Sequence, residues 1–427
     1  MSKRKQQVEI FQKIIEEKCL AIDRASWAKQ FSLGYTDTLE KTMQIQPEKE
    51  EVFVLTGDIP AMWLRDSTCQ VVPYLPLAKE HTDFAKILGD LVTTQCRYIL
   101  NDPYANAFNL EANGAGHQDD LTEMNPLIWE RKFEIDSLCY PIWLAYRLYK
   151  ECGYDAHFTE TFYQAVEAAI EVFQTEQHHE SSPYSFERLC DRQEDTLKNQ
   201  GKGTPVKETG LIWSGFRPSD DACTYGYLIP SNMFAVTILG QLEEILPQFY
   251  PEASLLAQVK QLKSEVQQGI EEYAIITDEE TGKQLFAYEV DGFGNYVLMD
   301  DANVPSLISL PYLGYCSPED ERYQNTRAFL LSERNPYYYQ GQYLQGIGSS
   351  HTPESYVWPI ALAIQGLTST DKAEKMQLLD TIVATDNGTN QCHESIDVDN
   401  PANYTREWFS WSNMMFCQLV LNYFEID

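Results

Sequence analysis

The sequence predicts an all-α protein, and three observations carry that reading. Apolar residues recur at helical spacing along nearly the whole chain, sustained strand alternation is scarce, and no Pro/Gly/Ser-rich linker divides the 427 residues. Leu255, Val259, Leu262, Val266, Ile270 and Tyr273 form the cleanest stripe. Val8, Phe11 and Ile15, with Ile14 beside them, open the chain on one face. Phe162, Val166, Ala169, Ile170 and Phe173 continue the pattern, and Met376, Leu379 and Ile382 repeat it late. The spacing predicts about twelve or thirteen helices, over 5–20, 27–43, 60–78, 82–100, 136–151, 158–175, 231–247, 252–275, 303–314, 318–333, 354–367, 371–385 and 406–424. Pro359 stands where a helix begins, a position that tolerates proline. "KQLFAYEVDG" (283–292) is the best hairpin candidate. With no fixed-period repeat, one mostly helical domain over residues 1–427 is expected. Helices alternating between an inner and an outer ring would gather their loops into a bowl at one end.

Composition narrows the partners. Acids outnumber Lys plus Arg by 64 to 32, a formal charge of −32. Phosphate recognition relies on basic clusters, and the chain has no basic run, so nucleic acid and anionic membranes are not expected partners. Aromatics make up 12% of the residues, including 26 Tyr and 8 Trp. Carboxylates accept hydrogen bonds from hydroxyls and flat rings cover the C–H faces of a sugar, so this mixture suits neutral polyols as well as it fills a core. Ten cysteines are scattered with no CxxC. The N-terminal stretch lacks the apolar region of a secretory signal, and no window is long and apolar enough for a membrane span. A reduced, cytoplasmic protein is the expectation.

The unusual residues lie in the loops. "TGDIPAMWLRDST" (56–68) sets Asp58, Arg65 and Asp66 beside Met62, Trp63 and Leu64. A surface loop would rarely gather three such apolar residues, and a core segment tolerates this much charge only when it is paired. "FRPSDDACTYGY" (216–227) holds the adjacent acids Asp220 and Asp221 next to Arg217. Neighbouring carboxylates repel, which favours a protonated acid, though acids also decorate helix starts. The positions after Asp221 and after the pair Asp300–Asp301 do not complete a DDxxD metal motif. Glu394, in "CHESID", reads as a solvated loop residue unless Trp408 and Trp411 wall it in. Glu134 and Asp136 straddle a helix start, with Asp136 a candidate cap. His351 lies in the loop "GIGSSHT" (346–352), and His178–His179 in a stretch, "TEQHHESS", that reads as solvated. HExxH, HxH, GxSxG and P-loop patterns are all missing, so no metal and no cofactor are expected.

With these residues in view, the chain resembles glycoside hydrolase family 125, the metal-independent exo-acting α-mannosidases. "FVLTGDIPAMWLRDST", "NDPYANAFN", "WERKFEIDSLCYP", "FRPSDDA", "YLIPSNMFA", "VDGFGNY", "DDANVPSLISLPYLGY", "GIGSSHT" and "REWFSWSNMMF" follow the family's signatures in the family's order. Residues 111–118, "EANGAGHQ", and the stretch after His351 in "SHTPESYVWP" depart from it. The resemblance implies an (α/α)6 barrel and inverting hydrolysis of terminal α-1,6-linked mannose on N-glycan-type oligosaccharides. It assigns the general acid to Asp220, with Asp221 as the rival, and the general base to Glu394. It gives Arg65 and Asp66 to the sugar in the first subsite. Asp58, Trp63, Glu134, Asp136, Arg217, Asp221 and His351 complete the expected substrate contacts. An inverting pair must leave room for water, so its carboxyls are expected roughly 6.5–9.5 Å apart. Another exo-glycosidase on the same barrel, or a catalytically silent sugar-binding barrel, is the alternative reading.

Overall fold

The computed structural model describes residues 3–251 and 254–426. The chain gathers into two compact units, one formed by Met1–Thr94, Leu144–His157 and Tyr338–Asp427, the other by Gln95–Trp143 and Phe158–Tyr337.

The first unit is organised around the helix Ser410–Tyr423. Its sequence, SWSNMMFCQLVLNY, is apolar nearly all round, and a helix of that kind belongs inside a core. Its neighbours are the helices Ala25–Asp37, Leu64–Val71, Pro359–Leu367 and Lys372–Ala384. Phe31, Tyr35 and Tyr74 continue the core as stacked or tilted rings, with centroids 5.0 and 4.3 Å apart. The Tyr35 hydroxyl donates to the Pro73 carbonyl at 3.1 Å, so the buried ring keeps its polar end satisfied. Strands Tyr356–Val357, Ser395–Asp397 and Asn400–Thr405 form a small antiparallel sheet, with Ser395 opposite Thr405 and Val357 opposite Ile396. A separate hairpin pairs Tyr338–Gln340 with Gln345–Ile347.

In the second unit, helices Ile229–Phe249, Leu255–Tyr273 and Glu160–Glu176 pack together. The predicted stripe is the contact face: Leu255, Val259, Leu262, Val266 and Ile270 are all buried, and so are Phe162, Val166, Ala169, Ile170 and Phe173. Thr159 caps Glu160–Glu176 by accepting the Phe162 N–H. A three-stranded sheet places Glu289–Val290 between Tyr227–Leu228 and Tyr296–Val297.

Where the elements differ from the sequence reading, local chemistry explains it. The segment 60–78 is extended at Met62–Trp63 and helical over Leu64–Val71 and Leu75–Glu80, with a 3-10 turn at Val72–Tyr74. Pro73 and Pro76 lack the N–H that a continuous helix needs there. Of 303–314 only Leu310–Leu313 is helical, because the Asp300 carboxylate takes the N–H groups of Leu307 and Ile308, at 2.8 and 2.9 Å. The stretch 283–292 is not one hairpin: Gln284–Phe286 pairs back onto Ile275–Thr277, while Glu289–Val290 joins the other sheet. His179 is buried, its ring stacked on Trp213 at 3.4 Å and bonded to Glu176 at 2.6 Å, so that part of the supposedly solvated stretch is core. Among the described residues, no helix is long and apolar enough to cross a membrane.

Candidate active site

In the first unit the site begins with Gly57. Its φ of +108° suits glycine, and a Cβ there would lie 2.8 Å from the Trp408 carbonyl oxygen. This close approach lets Gly57 pair with Phe409 and brings Asp58 to Arg406. Arg406 Nη2 donates to Asp58 Oδ1 at 2.5 Å, and Nε reaches the two carboxylate oxygens at 3.1 and 3.3 Å. The remaining edge of the guanidinium donates through Nη1 to Glu394 Oε1 at 3.3 Å. Glu394 is 6% exposed and stands one residue ahead of the strand Ser395–Asp397, its N–H shared between the carbonyls of Thr405 and Arg406. Burial disfavours the Arg406 charge. The hydrogen bond to Asp58 and the fields of Glu394, Asp58 and Asp66 outweigh it, and hold the guanidinium's pKa above its ordinary value.

Arg65 and Asp66 occupy the first turn of Leu64–Val71, both buried, with Nε and Oδ2 3.4 Å apart. Thr56 Oγ1 donates to Asp66 Oδ1 at 2.7 Å. A run of edge-on aromatic contacts links His351, Trp358, Phe409 and Trp411, with centroid separations of 6.4, 6.1 and 5.9 Å. The guanidinium of Arg406 lies 4.4 Å from the Phe409 ring centre, and that of Arg65 5.5 Å from Trp411. Asp58, Arg65, Asp66, His351 and Glu394, far apart in sequence, thus belong to one connected cluster. Trp63 is buried directly ahead of Arg65's helix, its indole N–H without a hydrogen-bond partner. Met62 packs in the core, its sulfur 3.2 Å from the Val54 nitrogen.

The second unit carries the "RPSDD" loop. Asp220 has a φ of +70°, a left-handed conformation that Asp tolerates better than most residues. This backbone twist gives the adjacent acids different surroundings. Asp221 is fully buried and takes Arg192 bidentately, Nη1 to Oδ1 at 2.7 Å and Nη2 to Oδ2 at 2.9 Å. Asp220 is half-buried, its carbonyl gripped by Lys132 Nζ at 2.7 Å. Lys132 is itself buried and also donates to Asp195 Oδ1 at 3.0 Å. Burial opposes its charge, but Glu130, Asp220 and Asp195 raise its pKa, so the cation persists.

Behind the loop, Arg217 Nε donates to Glu289 Oε1 at 2.6 Å, and Glu289 Oε2 accepts the N–H groups of Thr224 and Tyr225. Glu134 accepts from Ser137 Oγ at 3.0 Å. Asp136 lies inside the first turn of Ile135–Cys152, not ahead of it. Both acids are buried, and with Glu289 they push the Cys223 thiol upward, although burial is the larger cause. Glu134, Asp136, Arg217, Asp220 and Asp221 therefore share one neighbourhood. Asp300, raised to about 8 by burial, serves the backbone as described above, and Asp301 accepts from Asn303 at 3.1 Å. Among the described residues, no three His, Cys, Asp or Glu side chains converge as a metal ligand set.

Sequence reading missed Arg406, Lys132, Arg192 and Glu289. Cations number half the acids in this chain. A cation inside an acid- and aromatic-rich loop, such as Arg406 in "TREWF" or Lys132 in "ERKFE", is therefore the signal that would have found two of them.

Residues 24–421 match the family model described as metal-independent alpha-mannosidase (GH125). The meiotically up-regulated gene 157 protein of Schizosaccharomyces pombe is 38% identical over 424 aligned residues, covering 93% of this chain and 82% of its own. A solved Streptococcus pneumoniae protein, described among metal-independent alpha mannosidases and held in a non-productive complex with alpha-1,6-mannobiose, is 52% identical. That likeness covers 100% of this chain and 99% of the other, at a TM-score of 0.97. The Saccharomycopsis fibuligera glucoamylase, 11% identical at a TM-score of 0.55 over 98% and 96% of the two chains, shares the fold alone. The fold class is the expected one, all-α of the (α/α)6 type. By its match over nearly its whole length, this chain belongs to the metal-independent alpha-mannosidases of family GH125.

Proposed function

We propose that this protein is an inverting exo-α-1,6-mannosidase that removes terminal, non-reducing mannose from N-glycan-type oligosaccharides. The observation that carries this is the 52% identity, over the full chain, to a protein held with alpha-1,6-mannobiose. Asp220 is the general acid and donates its proton to the glycosidic oxygen as the bond to the anomeric carbon breaks. Glu394 is the general base and takes a proton from the water that attacks the anomeric carbon from the opposite side. The Arg192–Asp221 pair supports giving the acid role to Asp220, because both Asp221 oxygens are already committed. Arg406 fixes the Glu394 carboxylate through Oε1. Arg65, Asp66 and His351 read the hydroxyls of the terminal sugar, and Trp63 and Trp411 supply apolar surface. A cytoplasmic setting belongs to the same reading, supported by ten free thiols, six of them buried.

A proton-NMR time course on α-1,6-mannobiose tests it. β-mannose should appear first and equilibrate later, at a rate unchanged by EDTA. First appearance of the α-anomer would overturn the inverting assignment, and failure to release mannose would overturn the activity.

A further inference from the structure

The unit that carries Glu394 also holds a separate groove of about 410 Å³, a size typical of small-molecule sites. It is walled by the hairpin Tyr338–Gln340/Gln345–Ile347 and by the helices Pro359–Leu367 and Lys372–Ala384. Gln342 and Gln345 line it from the hairpin, Gln365 and Gln377 from the helices. A carboxamide carries two N–H donors and a carbonyl acceptor, the complement of vicinal hydroxyls; Gln342, Gln345 and Gln377 are exposed to the groove, while Gln365 Nε2 donates to Glu374. Leu344 and Leu378, both buried, supply an apolar floor, and Tyr338 and Tyr343 supply rings.

This lining selects among ligand classes. No lysine or arginine contributes to it, so an anion would find no counter-charge. Its one carboxylate, Glu374, already accepts from Gln365 Nε2 at 2.7 Å and from Ser369 Oγ, leaving a poor ligand set for a metal ion. A lipid chain would meet four amides and only two leucines, a lining too polar for it. A neutral, many-hydroxyl ligand fits all of these features.

Tyr343 points to a sugar. The hairpin tip is pinned by its backbone: the Tyr343 N–H donates to the Val398 carbonyl at 2.9 Å, and the Gln342 N–H to Asp399 Oδ1 at 2.7 Å. The approach is close enough that a Cβ on Gly341 would lie 2.5 Å from Val398 Cγ2. On this fixed tip the Tyr343 ring is 54% exposed, a flat apolar platform of the kind that covers a pyranose face. Val398 and Asp399 form the turn between Ser395–Asp397 and Asn400–Thr405, strands that begin one residue after Glu394 and end one before Arg406.

We infer that this groove is a second, non-catalytic binding site for a neutral oligosaccharide, and that it holds a mannosyl unit of a substrate chain. The neutral-sugar class follows from the lining; the choice of mannose rests on the proposed function. The test is calorimetric titration of the full-length Glu394→Gln protein with α-1,6-mannotriose. Two classes of site are expected. Tyr343→Ala, or Gln377→Ala, in that background should weaken one class about tenfold and leave the other unchanged. Placed singly in the wild-type chain, both substitutions should leave kcat/KM for α-1,6-mannobiose unaltered, since both side chains are exposed and outside the catalytic cluster. Sites, whether one class or two, that are indifferent to both substitutions overturn the groove; a single class that both substitutions weaken supports the groove and counts against sugar binding at the catalytic cluster. Mannose release by the wild-type protein is scored separately, so its failure counts against the proposed function alone.

Discussion

Arg192 grips both oxygens of Asp221, at 2.7 and 2.9 Å, while Lys132 takes the carbonyl of the preceding Asp220 at 2.7 Å. Two acids that look equivalent in sequence therefore stand in different surroundings, and the proposed acid role of Asp220 can be tested apart from Asp221. Asp220→Asn should lower kcat on α-1,6-mannobiose by roughly 10²–10⁴, and Glu394→Gln by a similar factor. A dinitrophenyl mannoside separates them, because its leaving group needs no proton. Asp220→Asn should recover most of its rate on that substrate, and Glu394→Gln should not.

Asp221→Asn should act through stability instead. It removes one of the two acceptor oxygens and the charge that a partly buried guanidinium takes from Asp221, at a cost of about 1–3 kcal/mol. Thermal melting should show the loss. A variant that melts like wild type yet has no activity would return the acid role to Asp221.

Arg406 spans Asp58 and Glu394, so shortening it disturbs Glu394, the proposed base, without removing it. Arg406→Ala should lower kcat by about 10–10², the scale of a misplaced catalytic group, and should also lower the melting temperature, because Glu394 is left buried without this cation. Wild-type kcat in this variant would show that the contact at 3.3 Å does not position Glu394.

Glu130 gives a pH signature. Burial alone would raise its pKa, but Lys132, Arg188 and His117, with a hydrogen bond from Asn106, hold it well below the ordinary carboxylate value. The folded state thus binds its proton less readily than the unfolded chain does. The resulting stability is present above the unfolded value of about 4.3 and is lost as pH falls below it. Glu130→Gln should melt well below wild type at pH 7, and the gap should narrow as the pH drops from about 5 toward 3. A gap constant across that window would contradict the sign of the shift.

Gly57→Ala forces a side chain into the left-handed region and against the Trp408 carbonyl. A cost of about 1–3 kcal/mol and a raised KM are expected, since the same contact delivers Asp58 to Arg406. Unchanged melting and KM would show that the segment relaxes freely.

The helical stripes were legible because burial follows a period, and Leu255 to Ile270 lie buried as their spacing required. The segment 303–314 was not legible, because a carboxylate at Asp300 competes with the helix for its N–H groups. Asp220, Glu394, Arg65 and Asp66 were named through family signatures. The ion-pair partners of the candidates Arg217 and Asp58 were not, since Arg217 meets Glu289 across 72 positions and Arg406 meets Asp58 across 348. Local pattern carries no information about such pairs; only the folded chain does.

The helix Ser410–Tyr423 that centres the first unit packs on Ala25–Asp37, nearly 400 positions earlier. During synthesis the face of Ala25–Asp37 that meets this helix therefore has no cover from it until residues 410–423 leave the ribosome. The second unit, drawn from Gln95–Trp143 and Phe158–Tyr337, has all its residues made before then. Chaperone demand for this chain should accordingly fall on its opening ninety residues, and a ribosome stalled near residue 340 should expose them to proteolysis.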